Sequence, residues 1–307
     1  MIACADSRSS AGSVTIACVK SSTTPGSVAG PAPLPPAPVD LRLVVTDMDG
    51  TLLDGDGLLP AGFADMVSRL RAHGVLFAPA SGRQLANLRS VLGEPITHSP
   101  IIAENGTLVV QDDEVIHCET ITVSDTVAAI DTARDLGIDG YNVGAVLAGV
   151  ECAYIDRQDP PFVEEVSRYY RELEIVDDLL AVPLDRTLKV AVYDFDDVEA
   201  GSSQALKAAV PDVQAVVSGV HWTDLMPRTA SKGRALAALQ ARLGITPAQT
   251  AVFGDYLNDL DMYERSELSF AMANAHPGIQ AVAHWTAPAN TEAGVLRTVD
   301  ALLQRLA

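Results

Sequence analysis

Two carboxylates stand one residue apart where a short apolar segment ends. Leu41–Thr46 is rich in apolar and β-branched residues, which is typical of a buried strand, and Asp47 and Asp49 follow it directly. Open α/β sheets build their sites at the carboxyl ends of strands, where carboxylates can act as nucleophile, acid, base or metal ligand. Gly50 permits the chain to turn there. An ordinary acidic turn gives the same pattern, so this motif alone does not establish an active site.

A second acidic cluster follows another apolar strand late in the chain. Thr250–Phe253 leads into Gly-Asp-Tyr-Leu-Asn-Asp, with Asp255 at the turn. Asn258 and Asp259 lie in the first turn of the next predicted helix, where helix capping would explain them. Together, the two clusters place four carboxylates at one edge of a sheet, which is costly without a cation. Carboxylate oxygens suit Mg²⁺, so the pattern favours a magnesium site.

Two further segments supply hydrogen-bond donors and a positive charge. Ser81, Gly82 and Arg83 follow the second predicted strand, where a hydroxyl and backbone N–H groups can bind a phosphoryl oxygen. Lys232 stands at the start of a later predicted helix and is one of only four lysines. A surface cation is the ordinary alternative for such a lysine. Because the other motifs are also present, Lys232 is a candidate for neutralising the charge of a phosphoryl group.

Taken in order, these motifs resemble those of the haloacid dehalogenase superfamily. DMDGTL begins at Asp47, SGR at Ser81, SKG at Ser231 and GDYLND at Gly254. The segment between the serine and lysine motifs resembles the class IIB cap of the Cof-like phosphatases. IIAENG resembles their strand before the cap, and ANA and NTEAGV resemble their closing segments. The resemblance covers about Leu41–Leu306. It implies an α/β fold, with a Rossmann-like parallel sheet as the core and an inserted α+β cap domain.

The same resemblance implies Mg²⁺-dependent hydrolysis of a small-molecule phosphate monoester, such as a sugar phosphate. Asp47 would attack phosphorus and form an aspartyl-phosphate. Asp49 would protonate the leaving alkoxide and then activate water. Ser81 and Lys232 would hold the phosphoryl oxygens. The dehalogenase branch lacks a second aspartate at the position of Asp49, so its presence favours phosphate chemistry.

The resemblance also assigns metal ligands and substrate contacts. Mg²⁺ would be held by Asp47, by the backbone carbonyl of Asp49 and by Asp255, with Asp259 acting through a water. Tyr256 departs from the family, which usually has a small residue there. Further substrate contacts are expected from residues beside these groups: Thr51, Gly82, Arg83 and Asn258.

The hydrophobic pattern divides the chain into three parts. Strands alternate with helices over residues 41–118 and 221–307, which predicts one discontinuous core with a parallel sheet. Residues 119–220 contain strand-like segments separated by glycine, which indicates hairpins in an inserted α+β domain. Residues 1–40 are rich in Pro, Ser and Ala without an amphipathic period, so we expect a disordered tail or an upstream misassigned start codon.

Composition restricts the class of partner. Lys and Arg number 21 against 40 Asp and Glu, a net charge of −19 that disfavours nucleic-acid binding. No apolar run approaches the length of a membrane span, and the four cysteines lack disulfide or zinc spacing, so we expect a cytoplasmic protein with reduced thiols. The net charge would also repel a phosphorylated metabolite. Mg²⁺, Lys232 and Arg83 are therefore expected to outweigh it locally, because distant surface charges are screened at cellular salt.

Two alternatives remain open at this point. A phosphomutase would pass the phosphoryl group back to a sugar hydroxyl, and a non-enzymatic regulator would only bind the phosphorylated metabolite.

Trp222 and the six histidines are interpreted as packing or structural residues. The oligomeric state is not predicted. Candidate contacts from the cap are polar or aromatic residues of its predicted strands: Tyr141, Asn142, Tyr154, Asp156 and Arg157.

Overall fold

The computed structural model describes residues 34–196, 198, 201–217 and 220–307. The expected tail therefore lies outside the described residues as far as residue 33. From Leu34 onward the chain packs against the core, and Val39 forms a parallel bridge with Leu306. The packed part of the chain thus begins before residue 41, because Leu34 and Val39 lie against apolar side chains of the core.

Strands occur in both the core and the inserted domain. They are β1 (Leu43–Thr46), β2 (Leu76–Pro79), β3 (Ile101–Ala103), β4 (Leu108–Gln111), β5 (Glu114–Cys118), β6 (Val143–Gly149), β7 (Ala153–Ile155), β8 (Leu173–Ile175), β9 (Thr187–Asp194), β10 (Val213–Val217), β11 (Trp222–Pro227), β12 (Thr250–Gly254), β13 (Leu268–Met272) and β14 (Trp285–Ala287).

Helices connect these strands. Among the residues described, no helix has the length and apolar composition needed to cross a membrane. The α-helices are α1 (Phe63–Ala72), α2 (Leu85–Leu92), α3 (Val123–Ile138), α4 (Pro160–Val166), α5 (Ser202–Ala209), α6 (Lys232–Leu243), α7 (Leu260–Tyr263), α8 (Pro277–Gln280) and α9 (Gly294–Leu303). Short 3₁₀ turns include Glu104–Gly106 and Leu257–Asp259.

A parallel sheet in the order β14-β13-β12-β1-β2 forms the core and confirms the expected α/β class. β1 lies between β12 and β2, with Leu43 in register with Thr250 on one side and Leu76 on the other. Every residue of β1 is buried, which explains its unbroken apolar sequence. Because parallel strands end at the same edge, the loops after β1, β2 and β12 meet there.

A small antiparallel sheet, β3-β4-β5, adjoins the parallel sheet. The alternation of strands and helices predicts that the strand over residues 100–103 joins the parallel sheet. β3 does so through the parallel Ala80–Ile102 bridge, and it pairs antiparallel with β4, which follows it after a short turn. A tight hairpin joins β4 to β5. Asp112 and Asp113 have φ values of 48° and 62° there, which matches the left-handed turn that favours hairpins.

The inserted domain has its own sheet, in the order β10-β11-β9-β6-β7-β8. α3 and α5 pack on one face, while α4 and aromatic side chains cover the other. β11 was expected to belong to the core, but it pairs antiparallel with β9, so the cap sheet continues to Pro227. Two adjacent buried polar residues, Thr223 and Asp224, obscured this strand in the sequence.

The spacing of apolar residues over residues 161–172 predicts one helix, but α4 ends earlier. It stops at Val166, and the chain then turns into β8. The segment 168–172 is held instead by side chains of the core, as described below, so tertiary hydrogen bonds outweigh the local helical pattern. This segment thereby reaches the edge of the parallel sheet.

Candidate active site

Lys232 lies at the centre of the acidic cluster and is fully buried at the first position of α6. Its Nζ donates to Asp47 Oδ1 at 2.5 Å and to Asp259 Oδ1 at 2.7 Å. Ser231 caps the helix by accepting from the backbone N–H of Arg234, which fixes where α6 begins. The lysine therefore joins the two acidic motifs, which are far apart in sequence.

Asp255 completes the cluster at the end of β12. Thr51 donates to Asp255 Oδ1 at 2.9 Å and is itself buried beneath that carboxylate. Gly50 has a φ of 79°, and a Cβ at this position would collide with the Asp255 carboxylate. Only glycine therefore lets the turn after Asp49 approach Asp255 so closely.

The acidic cluster fits a divalent cation. Carboxylate oxygens of Asp47, Asp255 and Asp259 lie within 4.8 Å of one another. Asp259 is fully engaged, since Lys232 binds Oδ1 and the backbone N–H groups of Asp255 and Tyr256 donate to Oδ2 at 3.1 and 3.3 Å. Among the described residues, Asp47 Oδ2 and Asp255 Oδ2 have no hydrogen-bond donor. These oxygens are hard ligands of the type that Mg²⁺ prefers.

Burial and mutual repulsion change the protonation of this cluster. Burial raises the pKa of Asp47 well above its usual range; Lys232 opposes the rise, and Asp259 and Asp255 add to it. Burial, followed by the charge of Asp259, raises the pKa of Asp255 to about 6. Burial would lower the pKa of Lys232, but Asp259 and Asp47 more than offset it and raise that pKa. Three carboxyl groups thus share one lysine, and a further positive charge would favour their ionised forms.

The Asp49 carboxylate lies apart from that cluster, in a bidentate ion pair. Arg83 Nε donates to Asp49 Oδ2 at 2.8 Å, and Arg83 Nη2 donates to Asp49 Oδ1 at 2.6 Å. The Asp49 side chain is 54% exposed, whereas that of Arg83 is 14% exposed. The Asp49 side chain is therefore engaged by Arg83 and does not belong to the group formed by Asp47, Asp255 and Asp259.

Ser81 and Gly82 form the turn after β2. The Ser81 hydroxyl accepts from the backbone N–H of Arg83 at 3.2 Å, which leaves its own proton available to donate. The Gly82 carbonyl accepts from Lys189 Nζ at 2.9 Å. Asn258, from the metal-loop motif, donates to Asn105 Oδ1 at 3.4 Å. These contacts hold the two loops beside Asp47.

A second buried lysine lies where the inserted domain meets the core. Lys189 of β9 contacts Glu104 Oε2 at 2.9 Å and Asp224 Oδ2 at 3.3 Å. Asn105 donates to the same Asp224 oxygen at 2.6 Å. Glu104 and Asn105 have φ values of 51° and 55°, a strained conformation that the surrounding contacts maintain. We call Lys189, Glu104 and Asp224 the junction cluster.

A cavity of about 430 Å³ lies between the core and the inserted domain. The core side is polar and charged, and the cap side is mainly aromatic. The core contributes Asp47, Asp49, Ser81, Gly82, Arg83, Asn105, Asp255, Tyr256 and Asn258, and the cap sheet and its neighbouring segments contribute Glu165, Tyr169, Tyr170, Lys189, Tyr193, Val220, His221, Trp222 and Asp224. Lys232, Thr51 and Asp259 lie beneath this surface rather than on it.

The candidate cap contacts named from the sequence do not line this cavity. Tyr141 is exposed elsewhere, Asp156 pairs with Arg134, and Arg157 pairs with Asp159. The other two residues of that group, Asn142 and Tyr154, are also absent from the lining. Those predictions were made from local strand patterns, which do not show which end of the cap sheet faces the core.

Several lining residues were missed in the sequence. Trp222 packs in the aromatic cluster of the cap, as interpreted, but it also lines the cavity, and so does His221. Tyr256 lies at the opposite wall; the residue is 39% exposed, and its ring is edge-on to His276. Lys189 could have been identified from the sequence, because it is a charged residue within an apolar strand. Such a residue is rarely buried without partners, so its position predicts acidic groups nearby. Tyr169 gave no comparable signal.

The sequence matches the family of haloacid dehalogenase-like hydrolases over residues 44–299. It is 29% identical over 269 residues to 5-amino-6-(5-phospho-D-ribitylamino)uracil phosphatase YbjI of Escherichia coli K12, covering 87% of this chain and 97% of that relative.

Solved structures share the fold. A haloacid dehalogenase-like hydrolase from Bacteroides thetaiotaomicron superposes with a TM-score of 0.76 at 19% identity, covering 85% of this chain and 99% of that one. A haloacid dehalogenase-like hydrolase from B. subtilis gives a TM-score of 0.72 at 23% identity, with coverage of 85% and 100%. Both matches extend across the core and the inserted domain.

Proposed function

Because the chain belongs to the haloacid dehalogenase-like hydrolases, we propose that it is a Mg²⁺-dependent phosphatase acting on a small-molecule phosphate monoester. The resemblance seen in the sequence motifs is thus confirmed at the level of the family. The observation that carries the proposal is the placement of Asp47. One of its oxygens is held by Lys232, the other has no donor among the described residues, and the side chain lines the cavity.

Asp47 is the nucleophile in this proposal. Its free oxygen forms a bond to phosphorus as the ester P–O bond breaks. Asp49, which would take up a proton from solvent when the substrate draws Arg83 away from it, gives that proton to the leaving alkoxide. Water then attacks the same phosphorus and gives a proton to Asp49. The bond between phosphorus and Asp47 breaks, so inorganic phosphate leaves and both carboxyl groups return to their starting states.

Positive charge and hydrogen-bond donors would stabilise the transferring phosphoryl group. Ser81 donates its hydroxyl proton, and Lys232 balances the charge of Asp47 from below. Arg83 is placed to contact an anionic oxygen once Asp49 releases part of its guanidinium. Phosphoryl transfer depends mainly on such positioning and charge neutralisation, so few groups need to react covalently.

Mg²⁺ would be held by Asp47, Asp255 and the backbone carbonyl of Asp49, with Asp259 orienting the other ligands. When bound, the ion neutralises the phosphoryl oxygens. The support for this assignment is the surplus of negative charge among buried carboxylates around one lysine. Thr51 would act here by orienting Asp255 rather than by touching substrate.

The relative YbjI is named for a substrate that carries its phosphate on a ribityl chain. Together with a cavity of about 430 Å³, this supports a metabolite of sugar-phosphate size as the substrate. Such a substrate and the cysteine spacing are consistent with the cytoplasmic location that we propose.

Phosphate release from a panel of esters tests the proposal. The panel contains para-nitrophenyl phosphate, glycerol 1-phosphate, ribitol 5-phosphate and a hexose 6-phosphate, each with Mg²⁺ or with chelator. We expect Mg²⁺-dependent release that Asp47→Asn lowers by at least about a thousandfold, since the nucleophile is lost. Folded wild-type protein that releases no phosphate from any ester would contradict the hydrolase proposal. Isomerised sugar phosphate without free phosphate would indicate a mutase instead.

A further inference from the structure

The core holds one segment of the inserted domain directly beside the catalytic loops. Gln84 accepts from the backbone N–H groups of Arg171 and Glu172 at 2.8 and 2.9 Å, and it donates to the Glu172 carbonyl at 2.8 Å. Asn87 donates to the Arg168 carbonyl at 2.9 Å. Gln84 is buried and follows Arg83 in sequence. The backbone of residues 168–172 is therefore fixed to the loop that carries the serine motif.

Tyr169 is the member of this segment that reaches Arg83. The guanidinium carbon of Arg83 lies 5.6 Å from the centre of the Tyr169 ring, within the range of a cation–π contact. The ring of Trp222 supports Tyr169 edge-on, with 5.6 Å between ring centres. Burial, followed by the charge of Asp49, raises the pKa of the Tyr169 phenol, so it remains uncharged at neutral pH.

Arg83 in turn determines where the Asp49 carboxylate lies. Both oxygens of Asp49 accept from the same planar guanidinium. A third nitrogen, Nη1, donates to Asn87 Oδ1 at 3.2 Å. Because a bidentate pair is coplanar, an aromatic ring that fixes the plane of the guanidinium also restricts the carboxylate.

We propose that Tyr169 is a positioning residue that orients Asp49 through Arg83, so that docking of the cap segment prepares the acid–base group. This inference rests on the proposed phosphatase activity. Without the ring, Arg83 keeps its charge but loses the surface that fixes its plane. Asp49 then spends less time where it can protonate the leaving oxygen, and small displacements of a reacting group lower rates strongly.

The choice of ester separates this role from a purely structural one. An alkyl phosphate needs a proton from Asp49 when its alkoxide leaves, whereas nitrophenolate leaves readily without one. The comparison uses kcat/KM, which reports the steps up to transfer to Asp47. For Tyr169→Leu, we expect a loss of about tenfold on the alkyl phosphate that wild type hydrolyses fastest, and less than about twofold on para-nitrophenyl phosphate.

Matched variants test the route through Arg83. Tyr169→Phe keeps the ring and is expected to stay within about twofold of wild type on both esters. Tyr141→Leu removes an exposed cap tyrosine away from the cavity and serves as the substitution control. In an Arg83→Met background, Tyr169→Leu is expected to cause no further loss, since the two residues act in series.

Equal losses on both esters, or losses that add to those of Arg83→Met, would overturn the inference. If Tyr169→Leu does not fold, Gln84→Met provides the second test, because it frees the segment while preserving side-chain length. The same ester-selective loss is expected, at smaller size. Failure of the proposed function remains distinguishable, since wild type would then release no phosphate from either ester.

Discussion

The cavity has a buried lysine on each side, and the surroundings of the two differ in charge. Lys232 contacts Asp47 and Asp259, and Asp255 lies within the same group of carboxylates. In the junction cluster, Lys189 contacts Glu104 and Asp224 together with the uncharged Gly82 carbonyl. The two lysines look alike in burial, since both are almost inaccessible to solvent.

The difference lies in where the free carboxylate oxygens lie. Around Lys232, oxygens of Asp47 and Asp255 face the cavity without a donor from the described residues. In the junction cluster, Lys189 contacts Glu104 Oε2 and Asp224 Oδ2, and Asn105 donates to that Asp224 oxygen. Glu104 Oε1 also has no donor among the described residues, but it is fully buried, and Glu104 does not line the cavity. The free oxygens at Lys232 are therefore open to an ion or a ligand, whereas the one at Lys189 is enclosed where the two domains meet.

The largest expected effect is on catalysis and separates the two lysines. Lys232→Met should lower kcat for phosphate release by at least about a hundredfold, because the charge beneath the phosphoryl site is lost. Lys189→Met, measured per folded molecule, should lower it by less than about tenfold, since Lys189 supports the loop rather than Asp47. Equal losses in the two variants would remove the functional distinction between these clusters.

The next effect is on stability and its dependence on Mg²⁺. Each lysine substitution leaves buried carboxylates unpaired, at a cost of about 3–5 kcal/mol in the free energy of unfolding. Added Mg²⁺ should recover much of that loss in Lys232→Met, because the ion replaces the missing charge, and none of it in Lys189→Met. Denaturant unfolding with and without chelator measures this. Recovery in both variants would place a cation at the junction as well.

The pH dependence of metal-free stability is a smaller effect. A carboxyl whose pKa is raised in the folded state stabilises the fold while protonated. For Asp255 this contribution is full below the unfolded value of 3.8 and is lost as the pH rises through about 6. Wild type should therefore lose on the order of 1 kcal/mol relative to Asp255→Asn between pH 4 and 7. Parallel curves for the two proteins would contradict the assignment.

The smallest expected effect concerns the junction cluster. Burial raises the pKa of Glu104, and Lys189 opposes that rise. Because these two effects on the ionised carboxylate oppose each other, its replacement by an uncharged amide should change the free energy of unfolding only slightly. Glu104→Gln should cost about 1 kcal/mol, since Lys189 keeps Asp224 and the Gly82 carbonyl. Thermal unfolding measures this. A loss as large as that of Lys189→Met would show that the charge of Glu104 is essential.

Much of the core site was predictable because its residues follow strands. Asp47, Ser81 and Asp255 each stand just beyond an apolar segment, and parallel strands bring such positions to one edge. The chemistry of the residue types then indicated phosphate and a cation. The early end of α4 was not predictable, because Gln84 and Asn87, which are distant in sequence, hold the segment that follows it.

The sequence by itself determined the α/β class and the family, and it supplied the groups that we propose to react. It did so because strand periodicity, motif order and side-chain chemistry are local properties. Only the tertiary structure decided that Lys232 joins Asp47 to Asp259, that Lys189 belongs to the junction and that Tyr169 rests on Arg83. Those relations depend on how the antiparallel sheet of the cap packs against the parallel sheet of the core. Such packing joins residues that are far apart in sequence, so no single segment of the sequence predicts it.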